Sequence, residues 1–226
     1  MKTKDFVAIE KRLLPSLSNF AVKGQLLFIV PIDHTLRGFH FDGSSFDKRS
    51  FYVSAFFMPL CVPSKHVHLT FGRRVRERGG DRWSADEAGI EGVLESAIQK
   101  ETPFLLGLQK PKDVAGALKL LTKPNDAGYV NPHCYEALAY VLVKAGAIGA
   151  AVDTIDALLS LVDGLKRANP AVALTWELEV CARAQLVKTK LIVNPEEANA
   201  QLVAWEHETV NNLDLENFCR RSHAQD

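Results

Sequence analysis

The spacing of the apolar residues changes near Trp83. Upstream of it they recur at every second position, as at Phe51 and Val53, and downstream they recur at every third or fourth position. A period of two is that of a β-strand, whereas the longer period is that of an amphipathic helix. The chain is therefore predicted to be α+β. An N-terminal helix and a four-stranded antiparallel meander over residues 1–83 precede an all-α region of helical hairpins over residues 84–226. The two segments form either two domains or one continuous domain.

Within the first segment, a helix is predicted over residues 4–14, and Pro15 ends it because proline lacks an amide donor. Four runs rich in branched and aromatic residues are predicted to be strands: residues 25–30, 35–41, 50–61 and 66–72. The third run is apolar on both faces, which favours a central position in the sheet. The short connections favour an antiparallel meander.

The second segment carries several helix-start signals. Ser84-Ala85-Asp86-Glu87 has the pattern of a capping box, and Pro111 precedes a short helix over residues 112–121. A further helix is predicted from Ile148, after the break at Ala145-Gly146. Asparagine that caps a helix with proline at its first position occurs three times: Asn131-Pro132, Asn169-Pro170 and Asn194-Pro195.

One stretch of the second segment has the spacing of a tetratricopeptide-like helical hairpin. The residues that match are Tyr135, Leu138, Ala139, Leu142, Gly146, Ala151 and Ile155. The next predicted hairpin, over residues 171–210, does not repeat the pattern. Because a repeat array needs about three units to bury a continuous core, an ordinary helical hairpin and a true repeat both stay open.

Composition limits the classes of function. The 226 residues include 27 Lys plus Arg and 27 Asp plus Glu, so the formal net charge is zero. Nucleic acid is therefore a disfavoured partner, because no global positive field attracts its phosphates. No run approaches the roughly 20 apolar residues of a membrane span, and residues 1–12 lack the pattern of a secretory signal. The four cysteines show no Cys-x-x-Cys spacing, so a cytoplasmic protein with reduced thiols is predicted.

An arginine-rich segment follows the predicted fourth strand. It contains five arginines in ten positions: Arg73, Arg74, Arg76, Arg78 and Arg82. Guanidinium groups bind phosphates and carboxylates in a forked geometry, so the first four are candidate residues for binding an anion or an acidic partner. The alternative is a solvated loop in which nearby acids such as Glu77 and Asp81 neutralise the arginines.

Two histidines are the catalytic candidates. His66 and His68 alternate on the predicted fourth strand and would share one face with Thr70. His68-Leu69-Thr70 matches the His-x-Thr signature of two-histidine phosphoesterases, in which paired motifs on facing strands supply an acid and a base. A second copy, His207-Glu208-Thr209, falls in a predicted helix. Because no acid or cysteine beside His66 and His68 completes a ligand set, no metal or cofactor is predicted.

Seven short motifs between residues 13 and 83 carry a resemblance to known proteins. They are Leu13-Leu14-Pro15, Lys23-Gly24-Gln25-Leu26-Leu27-Phe28, Leu36-Arg37-Gly38-Phe39, Phe51-Tyr52-Val53, Pro59-Leu60-Cys61-Val62-Pro63, Phe71-Gly72-Arg73-Arg74 and Trp83. With these motifs the segment resembles an uncharacterised bacterial domain family. That family is similar in layout to helix-plus-meander domains among immunity proteins of bacterial toxin systems. The resemblance implies a bacterial origin and a protein-binding role, and it supplies no catalytic residue.

These observations favour a non-enzymatic interaction protein that binds a macromolecular partner, expected to be a protein, through its helical surface or the arginine-rich segment. Two alternatives stay open. One is a phosphodiester-processing enzyme in which His66 or His68 acts with Arg73 or Arg74. The other is a small-ligand sensor with a pocket between the sheet and the helices.

Overall fold

The computed structural model describes residues 3–76, 80–124, 129–168 and 175–220. The chain divides into two compact units. The first combines Met1–Met58 with Val67–Leu108 and Leu215–Asp226, and the second combines Pro59–His66 with Gln109–Asp214.

The described residues of the first unit form two α-helices and a six-stranded antiparallel sheet. In chain order the elements are α1 (Thr3–Leu13), β1 (Phe20–Lys23), β2 (Leu26–Ile29), β3 (Thr35–Gly43), β4 (Ser50–Pro59), β5 (Gly72–Arg74), β6 (Arg82–Ser84) and α2 (Ile90–Gly107). Single turns of 3₁₀ helix lie at Leu14–Ser16 and Glu216–Phe218. The helix, the antiparallel sheet and the helical region that follows confirm the predicted α+β class.

The strands follow the order β1-β2-β3-β4-β5, and β6 also pairs with β4. Phe51 of β4 lies opposite Trp83 of β6, and Ser54 of β4 lies opposite Arg74 of β5. β4 is therefore an interior strand, as the two apolar faces of its sequence predict, and most of its residues are buried.

One face of the sheet packs against α1 and α2. The strand residues in this core alternate along β3 and β4: Phe39, Phe41, Phe51, Val53 and Ala55. Phe6 of α1 and Ile98 of α2 are buried in the same cluster, together with Trp83. Because side chains alternate across a strand, the even-numbered residues of β3 and β4 project from the other face.

The sheet differs from the predicted four-stranded meander at both edges. The β1–β2 hairpin was not predicted; Gly24, with a φ of +63°, supplies the left-handed conformation that its two-residue turn requires. The prediction of a strand over residues 66–72 is wrong, because only the last of them, Gly72, joins the ladder with β4. Phe71 is buried by stacking on Phe57, with ring centroids 5.7 Å apart, so part of the apolar alternation reflects burial without strand pairing.

The described residues of the second unit form five α-helices. They are α3 (Pro111–Leu121), α4 (Pro132–Lys144), α5 (Ile148–Ala168), α6 (Thr175–Val193) and α7 (Pro195–Asn212). Among the described parts of the chain, no helix is both long and apolar enough to cross a lipid bilayer.

Helix-start signals in the sequence are confirmed for α4 and α7. Asn131 Oδ1 accepts a hydrogen bond from His133 N, and Asn194 Oδ1 accepts one from Glu196 N, each at 3.0 Å. The third Asn-Pro pair, at residues 169–170, lies outside the described residues.

The capping-box prediction at Ser84 is wrong, because α2 begins at Ile90. The carboxylate of Asp86 instead forms an ion pair with Arg49 at 2.5 Å, and Ala85 N donates to Arg49 O. Gly89, with a φ of +75°, is the N-cap residue that precedes the helix.

α4 is the most buried helix described in the second unit. Ala139 of α4 and Ala151 of α5 are fully buried, as expected where two backbones approach closely. Gly146 adopts a φ of +76° in the connection between them. The helical hairpin is confirmed, and its assignment as a tetratricopeptide-like repeat stays a prediction.

Candidate functional site

Strand β5 separates the arginines that the sequence grouped as one binding segment. Arg73 lies opposite Ala55, which faces α1 and α2, and Arg74 lies opposite Ser54 on the other face. The two neighbouring guanidinium groups therefore belong to different surfaces of the first unit.

The charge of Arg73 is neutralised by Glu101 of helix α2. Its Nε and Nη2 atoms donate to Glu101 Oε2 at 3.0 and 2.5 Å, and its guanidinium lies 4.8 Å from the ring centroid of Phe104. Both partners lie on α2, so Arg73 links the sheet edge to that helix. The spacing between Arg73 and Glu101 gave no signal of this pairing, because 28 residues separate them.

Arg74 takes part in a polar arrangement on the opposite face. Its Nη1 donates to Ser54 Oγ at 3.2 Å, and its guanidinium lies 4.5 Å from the ring centroid of Tyr52. Arg82 lies opposite Tyr52 on the same face and is exposed. Arg76 is exposed beyond β5, whereas Arg78 lies outside the described residues.

His40 joins this arrangement from β3. Burial lowers the pKa of its imidazole, the nearby charge of Arg74 lowers it further, and the charge of Asp42 opposes the change. Its Nδ1 is buried and has no hydrogen-bond partner among the described residues. We call His40, Tyr52, Ser54 and Arg74 the polar face cluster. No motif in the sequence marks His40 as a site residue, although its position between Phe39 and Phe41 indicates that it projects from the opposite face of β3.

The two catalytic candidates lie outside the sheet. His66 is exposed, and its backbone N and O form hydrogen bonds with the Ser64 hydroxyl. His68 is half-buried, with its ring 5.6 Å from that of Phe71. Because neither residue is in a strand, the prediction that they share a strand face is wrong.

The second His-x-Thr motif is in α7, as predicted. Thr209 serves the second unit structurally, because its hydroxyl accepts from Ser64 N and donates to Val62 O. With neither motif on a strand, the geometry gives no support to the paired arrangement of the two-histidine phosphoesterases.

Helix α6 carries apolar side chains on two opposite faces. The inner residues are buried: Val180, Ala184, Val187 and Leu191. Leu178 and Leu186, by contrast, are 58% and 42% exposed. Residues spaced by four and seven share one helix face, and we call the set on the exposed face the outer stripe: Leu178, Ala182, Leu186 and Val193.

A buried ion pair joins α6 to α4. Arg183 Nε and Nη2 donate to the two carboxylate oxygens of Glu136 at 2.7 and 3.1 Å, and Tyr140 Oη donates to Glu136 Oε1 at 3.2 Å. Glu136 is fully buried. Burial of the phenol and the nearby Glu136 charge raise the pKa of Tyr140, so its hydroxyl stays protonated and can donate.

The buried cysteines are unsuited to nucleophilic chemistry. Burial raises the pKa of the Cys61 thiol to about 12 and that of Cys134 to about 11. At neutral pH both are thiols rather than the reactive thiolates. Within the described residues, no group of three or more His, Cys, Asp or Glu side chains is placed to hold a metal ion.

A pocket of about 360 Å³ opens between α1, β4 and the start of α2. Its lining combines apolar residues such as Phe51 and Leu94 with charged residues of both signs. Arg12 is paired with Glu91 at 3.0 Å across it, and Arg49 is paired with Asp86. These two arginines therefore offer a charged ligand little uncompensated charge.

No protein-family model, curated protein or solved structure matches this chain. The geometry of the two units is therefore the basis for assigning a function.

Proposed function

We propose that this protein is a non-enzymatic, cytoplasmic interaction protein that binds a partner protein through the outer stripe of α6. The observation that carries the proposal is the exposed apolar face of a helix whose opposite face already packs in the second unit. Contiguous exposed apolar surface on a folded unit is typical of an interaction site.

The spacing of the outer stripe favours an amphipathic helix as the element that covers it. Leu178, Ala182 and Leu186 are successive residues of one i, i+4 ridge. Such ridges pack into the grooves of a second helix. Ala182 lies between the two leucines, so its small side chain leaves room for a large apolar residue of the partner.

The arginine-rich segment supports the proposal less well as a contact surface. Arg73 is already paired with Glu101, and Arg74 lies on the opposite face of the sheet. A contact through this segment would therefore depend on a smaller set of arginines than the sequence predicts.

Site-specific photo-cross-linking tests the proposal. A photoreactive phenylalanine analogue replaces Leu186 in the outer stripe, or Leu120 on α3, which is 66% exposed and serves as the control position. We expect one partner protein to be cross-linked in cells from position 186 and not from position 120. Mass spectrometry of the adduct identifies the partner and the attached peptide.

Binding of that partner by purified variants then measures the contribution of the stripe. Leu178→Ser combined with Leu186→Ser should weaken binding at least about tenfold, since the partner would bury the exposed half of each leucine, about 1.5–3 kcal/mol for the two together. Leu120→Ser should leave the affinity unchanged. Equal cross-linking from both positions, or an unchanged affinity in the double variant, would contradict the proposal, as would an adduct with a second copy of this chain alone.

A further inference from the structure

The sheet face that does not pack on α1 and α2 becomes polar at one end. His40, Tyr52 and Ser54 occupy even positions of β3 and β4, and Arg74 lies directly opposite Ser54. Their odd-numbered neighbours are apolar core residues. Polar side chains therefore gather on three adjacent strands without contributing to the core.

Arg74 has hydrogen-bonding capacity that the described residues leave unused. A guanidinium group has five N–H donors, and Ser54 is the partner of one of them. The cation lies on the ring of Tyr52, which holds it in one orientation while the residue stays exposed. Arg74 is therefore held in place and still has N–H donors with which it can bind an anion.

The imidazole of His40 is the second group with unused capacity. Its Nδ1 is buried without an acceptor among the described residues, and an unpaired buried N–H is costly. The neutral ring is therefore expected to carry its proton on Nε2, where it can donate to a ligand. Burial lowers the pKa of His40, which favours the neutral ring.

The charges around the cluster favour an anion. Arg74 and Arg82 are both exposed on this face, and Asp42 is the acid whose charge acts on His40. Asp42 is itself exposed, so solvent screens it.

We propose that the polar face cluster binds a small phosphate monoester. A carboxylate has two oxygens in a plane, which the fork of Arg74 would satisfy alone. A phosphate monoester has three terminal oxygens, which can accept from Arg74, from the Tyr52 or Ser54 hydroxyl, and from His40 at the same time. This site lies in the first unit and is independent of the proposed protein contact on α6.

Titration with inorganic phosphate, followed by NMR of the His40 ring, tests this inference in the full chain. Sodium chloride at matched ionic strength is the control for screening. We expect a saturable shift of the His40 signals with phosphate alone, and a higher His40 pKa in its presence because a nearby dianion favours the imidazolium form.

Neighbouring arginines supply a matched pair of variants. Arg74→Gln removes the guanidinium donors and should weaken phosphate binding at least about tenfold, because a hydrogen bond between two charged groups is stronger than one between neutral groups. Arg73→Gln removes the same charge from the opposite face and should leave the affinity within about twofold. Arg74→Lys should weaken binding without abolishing it, because the charge is kept and the fork is lost.

Three results would overturn the inference. They are the absence of a saturable shift, equal shifts with chloride, and equal weakening by Arg73→Gln and Arg74→Gln. The last result would show that phosphate responds to the net charge of the sheet edge and not to a built site.

Discussion

Arg73 and Arg74 show at the scale of single residues how strand geometry divides one charged run between two surfaces. The first is neutralised by Glu101 of α2, and the second is held on the ring of Tyr52. Their chemistry could be read from the sequence, but their separation depends on a three-residue strand that the sequence does not indicate. Once β5 is known, the alternation of side chains gives the assignment without further information.

Glu10 is an acidic residue at a fully buried position. It lies on the buried face of α1, near Phe6 and Leu13, and neither carboxylate oxygen has a hydrogen-bond partner among the described residues. Burial raises its pKa from 4.5 to about 8. The folded state therefore binds its proton more tightly than the unfolded state, so stability falls as the pH rises from about 4.5 towards 8.

Glu10→Gln should remove this dependence on pH. We expect the variant to be more stable than the parent by about 3–5 kcal/mol well above pH 8, because each tenfold difference in proton affinity between the folded and unfolded states corresponds to about 1.4 kcal/mol. The two proteins should be nearly equal in stability near pH 4.5. Urea unfolding at a series of pH values measures the difference. Glu208→Gln, at an exposed position of α7, should show no such trend, and a constant difference between Glu10→Gln and the parent would contradict the prediction.

At the scale of elements, α6 poses a specificity problem because both of its faces are apolar. A helix with two apolar faces can bury either one, and the hydrophobic effect alone does not choose between them. We expect the pair between Arg183 and buried Glu136 to favour one face, because it can form only when Val187 and its neighbours face inward. In some proteins a buried ion pair contributes more to specificity of this kind than to stability.

Variants of this ion pair separate stability from specificity. Arg183→Leu alone should destabilise the second unit by about 3–5 kcal/mol, because buried Glu136 loses its arginine partner and keeps, among the described residues, only the hydrogen bond from Tyr140 and the nearby ring of His133. Glu136→Leu combined with Arg183→Leu should recover most of that loss. Chemical unfolding of the two single variants and the double variant gives the coupling energy.

The rotation of α6 can be followed in the same backgrounds by thiol labelling. Cysteine at position 186 should react rapidly and cysteine at position 187 slowly when the ion pair is intact, since Leu186 is exposed and Val187 is buried. In the double leucine background the two rates should converge. Peptide mass spectrometry distinguishes these sites from the four native thiols. Continued protection of position 187 would show that packing alone fixes α6.

The helices and strands that the sequence predicts correctly are those in which the local sequence pattern agrees with the packing of the folded chain. α4 and α7 begin at Asn-Pro pairs, and β4 has apolar residues on both faces because both faces are buried. Residues 84–87 had the local signal of a helix start, but Ser84 is the last residue of β6 and pairs with Ser50 of β4, so α2 begins only at Ile90. β6 is a three-residue strand with one apolar residue, Trp83, so its existence depends on pairing with residues of β4 that are distant in sequence.

At the scale of the whole molecule, the chain leaves the first unit and returns to it near its C-terminal end. Ile32 N donates to Phe218 O at 2.9 Å, and Arg220 N donates to Ile32 O at 3.0 Å. The ring of Phe218 packs edge-on against Phe28 of β2, with centroids 5.1 Å apart. A segment that follows α7 in the sequence therefore stabilises the sheet, a relationship that no periodicity in the sequence could reveal.

Removing this aromatic contact should weaken the first unit selectively. Phe218→Ala uncovers part of Phe28, and we expect a loss of about 1–3 kcal/mol, less than for a fully buried phenylalanine because Phe218 is only half-buried. Hydrogen exchange followed by mass spectrometry should then show faster exchange in β2 and β3, while α4 and α5 keep their protection. Phe46→Ala changes a ring that is 94% exposed and should alter neither region. Faster exchange throughout both units in Phe218→Ala would instead mean that they unfold as one cooperative body.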